Sequence, residues 1–159
     1  MQRDPVPACI ALGANLGDAP ATLRWAMQRL GALPGTRLLR SSRLYRTAPV
    51  DAAGPDFINA VVLLETCSTA PDLLAQLLAL EQLAGRERPY RNAPRTLDLD
   101  LLLFGDARID SPALTVPHPR MAARAFVLVP LAEVLPQAVP ARALAAVADQ
   151  RITPLAEPG

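Results

Sequence analysis

Hydrophobic and polar positions change period several times along the chain, and those changes mark its elements. Leu23, Met27 and Leu30 recur at helical spacing between residues 20 and 31. Asp18 stands ready to cap that helix, Pro20 suits its first turn, and Gly31, Pro34 and Gly35 end it. The stretch STAPDLLAQLLALEQLAG (68–85) predicts a second, clearer helix, with Thr69 and Asp72 at capping-box spacing and Gly85 as the stop. Four apolar stretches read as strands: ACIAL (8–12), the irregular TRLLRSSRLYRT (36–47), FINAVVLLET (57–66) and RTLDLDLLLFG (95–105). GANLGD (13–18), APVDAAGPD (48–56) and RERPYRNAP (86–94) read as loops. After residue 106, RAFVLVPLAEVLP predicts a short helix, and an alanine-rich helix is expected near 141–150. The order β-α-β-β-α-β predicts an α+β, ferredoxin-like fold, an antiparallel sheet with helices packed on it. No repeat is visible, so residues 1–159 are expected to form a single domain, with 138–159 as a peripheral C-terminal segment.

The strand 95–105 breaks its own pattern. Asp98 and Asp100 sit among leucines, where a buried carboxylate is costly without compensation. In a strand, residues i and i+2 share a face, roughly 6.6 Å apart at ~3.3 Å per residue. The aspartates therefore share one face, and Leu97, Leu99 and Leu101 the other. Side by side the carboxylates repel, and divalent cations relieve that repulsion, as in two-metal phosphoryl-transfer sites. A plain solvated strand face has the same spacing. Four arginines (Arg86, Arg88, Arg91 and Arg95) lead into the strand, and guanidinium forks match phosphate oxygens. Together with the aspartates they favour a nucleotide phosphate bound with Mg²⁺.

Two further residues are anomalous. Asn59 lies in the apolar FINAVVLL, where an inward amide needs partners, and Phe57 shares its face; ring and amide together suit a flat heteroaromatic ligand, or Asn59 serves a neighbouring backbone. His118 is the sole histidine, held between two prolines in TVPHPRMAARAF (115–126), where it is a solvated residue or a donor to phosphate.

Composition narrows the classes. With 51% hydrophobic residues the chain is not disordered, and a net charge of +1 gives no basic field for non-specific nucleic-acid binding. All 16 basic residues are arginine, which excludes a GxxxxGK[ST] loop and any kinase chemistry that needs a lysine. Cys9 and Cys67 read as buried thiols of a reducing compartment. No signal peptide and no apolar run near the ~20 residues of a membrane span are visible, so a cytoplasmic protein is expected.

In order, ALGANLGD, YRTAPV, DFINAVVLLET, RTLDLDLLLFG, LTVPHPRM and RAFVLVPL resemble the 6-hydroxymethyl-7,8-dihydropterin pyrophosphokinase family, over residues 8–137. The resemblance implies a ferredoxin-like αβα sandwich. It implies transfer of pyrophosphate from ATP to the pterin's hydroxymethyl group, giving the pterin diphosphate and AMP in folate biosynthesis. It further implies two Mg²⁺ ions on Asp98 and Asp100, with Asp100 also the candidate base. Arg86, Arg95 and His118 would meet phosphates as part of the catalytic set. Thr47, Pro49, Val50 and Asn59 would bind the pterin, and Phe57 and Phe126 would sandwich its ring. Glu81, Arg88, Arg91, Leu101, Thr115 and Arg124 would lie near ATP. Asn92, Ala93, Ala113 and Pro119 depart from the family's commoner residues, all toward the nucleotide side. The implied partners are ATP and the pterin alone, with neither nucleic acid nor membrane, and a monomer is expected. The loops 48–56 and 86–94 are expected to close over bound substrates. The competing reading is a ferredoxin-like module that binds RNA or a small ligand without catalysis, but no aromatic RNA-binding run is present.

Overall fold

The computed structural model describes residues 3–48, 55–86 and 97–156, with Arg86 described in its backbone alone. The elements run β1 (Val6–Ala14), α1 (Ala19–Gly31), β2 (Thr36–Ser41), β3 (Tyr45–Thr47), β4 (Phe57–Thr66), α2 (Ala70–Arg86) and β5 (Asp98–Phe104). A small hairpin of β6 (Ile109–Asp110) and β7 (Thr115–Val116) follows, then α3 (Ala125–Val134), α4 (Ala141–Ala146) and β8 (Thr153–Pro154). The main sheet is ordered β5-β1-β4-β3-β8, with β2 also on β4, and every pairing is antiparallel. Taking β2 and β3 as one interrupted strand, this is the expected ferredoxin-like arrangement, carried one strand further by β8. No helix among the described residues is long and apolar enough to cross a membrane.

Both sheet faces are covered. On one, Ile10, Leu12, Ala60, Val62, Leu99 and Leu101 pack against Leu23, Ala26 and Leu30 of α1 and Leu73, Leu77 and Leu80 of α2. On the other, Cys9, Val61, Leu63 and Leu102 pack against Val127, Leu128, Leu131 and Val134 of α3. These layers make the αβα sandwich. Val139 and Val147 are buried in the second cluster, and Ile152 packs on it.

Local chemistry explains the element ends. Asp18 accepts the Ala21 N–H at 3.2 Å, so α1 starts where its cap predicts. Thr69 Oγ1 accepts the Asp72 N–H at 3.2 Å at the start of α2. Gly85 does not stop that helix, which continues to Arg86; glycine costs a helix interior only about 1 kcal/mol, and the packed apolar face outweighs that. The expected strand 36–47 breaks at Ser42–Leu44. Ser42 Oγ accepts the Val61 N–H at 3.0 Å in place of a backbone carbonyl, and the Arg43 N–H donates to Glu133 of α3 at 3.0 Å. The alanine-rich helix is shorter than expected, only Ala141–Ala146.

In β5, Ile10 pairs with Leu101 while Cys9 pairs with Leu103, so Leu102 is an extra residue, a β-bulge. Leu102 and Leu103 then both lie on the α3 side, and Phe104 returns to the α1/α2 side. The apolar run LLLF thus serves both cores. Gly105 then turns the chain at φ +55, and a Cβ there would lie 2.8 Å from Val6 Cγ1. Gly105→Ala is therefore expected to cost about 1–3 kcal/mol, lowering Tm by about 2–12 °C in a thermal melt, with activity retained at lower temperature.

Candidate active site

The side chains that face α3 alternate along each strand, and at the end where β1 finishes and β5 begins they stand across an open cavity from Ala125, Phe126 and Val127 at the start of α3. Gly13, Phe57, Asn59, Asp98 and Asp100 lie at that open end. A cavity of about 840 Å³ occupies it, closed by Thr47 of β3 and by Arg124 and Phe126 at the start of α3. The register explains the grouping: Gly13 lies between its partners Asn59 and Asp98, and Ala11 is opposite Asp100.

Asn59 is only 5% exposed, and its Nδ2 donates to Thr47 Oγ1 at 2.8 Å. This bond turns the amide into one orientation. Its Oδ1 lies over Gly13, where a Cβ would approach to 3.2 Å. Asp98 and Asp100 are both exposed on the cavity side, and Leu97 and Leu99 are buried opposite them, as the alternation predicts. Among the described residues no cluster of three or more His, Cys, Asp or Glu exists. A pair of hard carboxylates without soft ligands suits Mg²⁺, which takes one or two carboxylates and completes its shell with phosphate and water; it does not suit a structural zinc site.

Arg124 is the N-cap residue of α3, and its guanidinium lies 5.3 Å from the centre of the Phe126 ring. His118 donates its backbone N–H to Leu102 at 3.0 Å, and its Nδ1 accepts the Arg120 N–H at 3.2 Å. With Nδ1 accepting, Nε2 is the ring nitrogen left to donate. Cys9 is no nucleophile: burial pushes its thiol up to about 12.

The cavity thus gathers Thr47, Phe57, Asn59, Asp98, Asp100, Arg124 and Phe126 of the expected residues. His118 is half-buried in the segment before Arg120, which lines the cavity. His118 itself does not line the cavity, and neither do three other expected residues. Leu101 is buried in the core against α1 and α2, Thr115 is half-buried in β7, and Glu81, 6% exposed, accepts the Leu99 N–H at 2.7 Å. Glu81 thereby fastens the edge strand that presents the aspartates. Pro49, Val50, Arg88, Arg91, Arg95 and the Arg86 side chain lie outside the described residues, as does most of each loop expected to close. Gly13, Arg120, Gln150 and Arg151 line the cavity but were not expected to.

Residues 9–136 match the family model of 7,8-dihydro-6-hydroxymethylpterin-pyrophosphokinase. The chain belongs to this family. A 2-amino-4-hydroxy-6-hydroxymethyldihydropteridine pyrophosphokinase of Pseudomonas aeruginosa is 47% identical over 128 residues, 80% of this chain and 79% of that one. Its namesake from Synechocystis is 43% identical over 135 residues, 85% of this chain and 69% of that one. Among solved structures, a Plasmodium falciparum HPPK-DHPS triple mutant aligns with a TM-score of 0.67 at 15% identity, over 86% of this chain. That likeness is one of fold, and this chain spans 41% of the longer HPPK-DHPS chain. Pyrophosphokinase activity in folate biosynthesis is the function of the family. The family match ends at residue 136, so Gln150 and Arg151 reach the cavity from beyond it.

Proposed function

We propose that this chain transfers the β,γ-pyrophosphoryl group of ATP to the hydroxymethyl oxygen of 6-hydroxymethyl-7,8-dihydropterin. One observation carries the reading: a carboxylate pair suited to metal-bound phosphate and a buried amide suited to a heterocycle open into the same cavity. Asn59, held by Thr47, pairs with the edge of the pterin, and Phe57 and Phe126 flank its ring, with Pro49 and Val50 completing that pocket. Asp98 and Asp100 would hold two Mg²⁺ ions. Bound there, Mg²⁺ supplies charge neutralisation for the triphosphate oxygens. Asp100 accepts the proton of the hydroxymethyl group as its oxygen forms a bond to the β-phosphorus. The bond from that phosphorus to the α,β-bridging oxygen breaks, and AMP leaves with the electron pair. Arg86, Arg95 and Arg124 stabilise the charge that develops, and His118 donates from Nε2 to a phosphate oxygen. Arg88, Arg91 and Thr115 serve ATP, while Glu81 and Leu101 act through the buried side of β5.

On this reading residues 1–159 are one domain acting as a monomer. A protein that consumes ATP and keeps a buried thiol at Cys9 fits the cytoplasm. The RNA-module reading is not favoured, because an RNA-binding sheet presents an open aromatic platform, whereas here both faces carry helices.

The test is AMP formation with purified protein. AMP is expected only when ATP, Mg²⁺ and the pterin alcohol are all present. Equal AMP without the alcohol, or none with it, would contradict the assignment. Gly13→Ala tests the pocket itself. Its Cβ would press on Asn59 Oδ1, so KM for the pterin should rise about tenfold, the equivalent of one weakened hydrogen bond, with KM for ATP unchanged in steady-state assays.

A further inference from the structure

We infer that Gln150, outside the segment matched by the family, is a positioning residue for the pterin half of the site; this rests on the reaction proposed above. The start of α3 needs such a residue. Its N-cap, Arg124, makes no side-chain cap, and the first N–H groups of a helix have no partner within it. Gln150 supplies one. Its Oε1 accepts the Ala125 N–H at 2.8 Å, and its Nε2 donates to the Ala123 carbonyl at 2.9 Å. One amide therefore brackets Ala123–Ala125 and holds Arg124 between them in extended conformation, φ −127 and ψ 114. That backbone direction sets where Arg124 and Phe126 emerge, and both line the cavity.

The segment carrying Gln150 is itself fastened at both ends. Val147 is buried and Ile152 packs beside it in the second core. Beyond them Thr153 pairs with Arg46 and Pro154 with Tyr45, and the Leu155 N–H donates to Leu44 at 2.9 Å. β3 carries Thr47, the residue that orients Asn59. Residues 147–155 thus tie the wall bearing Phe126 to the wall bearing Thr47. Both walls belong to the pterin pocket, and neither aspartate depends on the tie. The side chain is specific for the task. Glutamate keeps the acceptor for Ala125 and loses the donor to Ala123; alanine loses both.

The experiment compares the full-length parent, Gln150→Ala and Gln150→Glu by steady-state kinetics and by hydrogen exchange of residues 121–128 without ligand. Gln150→Ala should raise KM for the pterin alcohol about tenfold, the equivalent of one or two lost hydrogen bonds, lower kcat because Arg124 shares the loosened turn, and leave KM for ATP within about twofold. Gln150→Glu should fall between Gln150→Ala and the parent. Exchange over 121–128 should accelerate in Gln150→Ala. An unchanged pterin KM, an equal rise in both KM values, or unchanged exchange would overturn the inference. An inactive parent would instead remove the proposed reaction, and the exchange comparison would still decide whether Gln150 holds this turn. If Gln150→Ala does not fold, Gln150→Glu decides alone: a selective rise in pterin KM supports the role, and parent-like kinetics overturn it.

Discussion

Asp100→Ala is expected to lower kcat by about 10³-fold or more, with Asp98→Ala close behind, while both variants remain folded. Both aspartates are exposed on β5, which is the sheet's outer strand, and the buried leucines beside them face the other way. Truncating an exposed side chain usually changes stability by no more than about 0.5 kcal/mol. Activity is a different matter. The aspartates are the only carboxylates lining the cavity among the described residues. Metal-assisted charge stabilisation contributes several kcal/mol to a transition state, and each 1.36 kcal/mol is about tenfold in rate. On the proposed reading the pair would hold two ions, and losing one of their ligands would remove most of that. Because the two act as a unit, the double variant should be little worse than the worse single one. AMP release at saturating Mg²⁺, with a thermal melt of each variant, checks this. A single variant retaining more than a tenth of parental kcat would show that the carboxylates are ordinary surface residues.

The second large effect lies at the other end of the cavity. Asn59→Ala should raise KM for the pterin about 100-fold and leave KM for ATP nearly unchanged. The amide is a paired donor and acceptor in a buried setting, and a site built to hydrogen-bond its ligand loses heavily when that pairing goes. Its partner offers a graded control. Thr47→Val removes the hydroxyl that accepts from Asn59 Nδ2 but leaves the amide in place. Asn59 would then sample other orientations, and KM for the pterin should rise about tenfold, the equivalent of one hydrogen bond. Loss of ATP affinity equal to the loss of pterin affinity would mean that Asn59 supports the fold rather than the pocket.

Much of this site was legible in the chain because strand alternation is strict. Once 98–101 is a strand, Asp98 and Asp100 must share a face, and Phe57 and Asn59 must do so on β4. The capping aspartate of α1 was legible for a similar reason, since an orphaned N–H has few local solutions. What could not be read depended on partners distant in sequence. The bulge at Leu102 exists because two cores compete for one strand. The break at Ser42 depends on Val61 and Glu133. Gly13 looked like the first residue of a turn, yet it is the strand position that makes room for Asn59. Glu81 has no visible distinction among the polar residues of α2 until β5 brings the Leu99 N–H to it. The C-terminal segment was the least legible. Its two-residue strand carries no pattern, and Gln150 has a role only through backbone groups more than twenty residues earlier.

The central claim is that one cavity joins the phosphate end of ATP to the pterin alcohol. Its most direct measurement uses ATP labelled at the β-phosphorus, mixed with protein, Mg²⁺ and 6-hydroxymethyl-7,8-dihydropterin, and follows where the label goes. The account predicts label in the pterin diphosphate, formed one for one with AMP, and no labelled ADP. Label recovered as ADP or as free pyrophosphate, with the pterin unmodified, would contradict it.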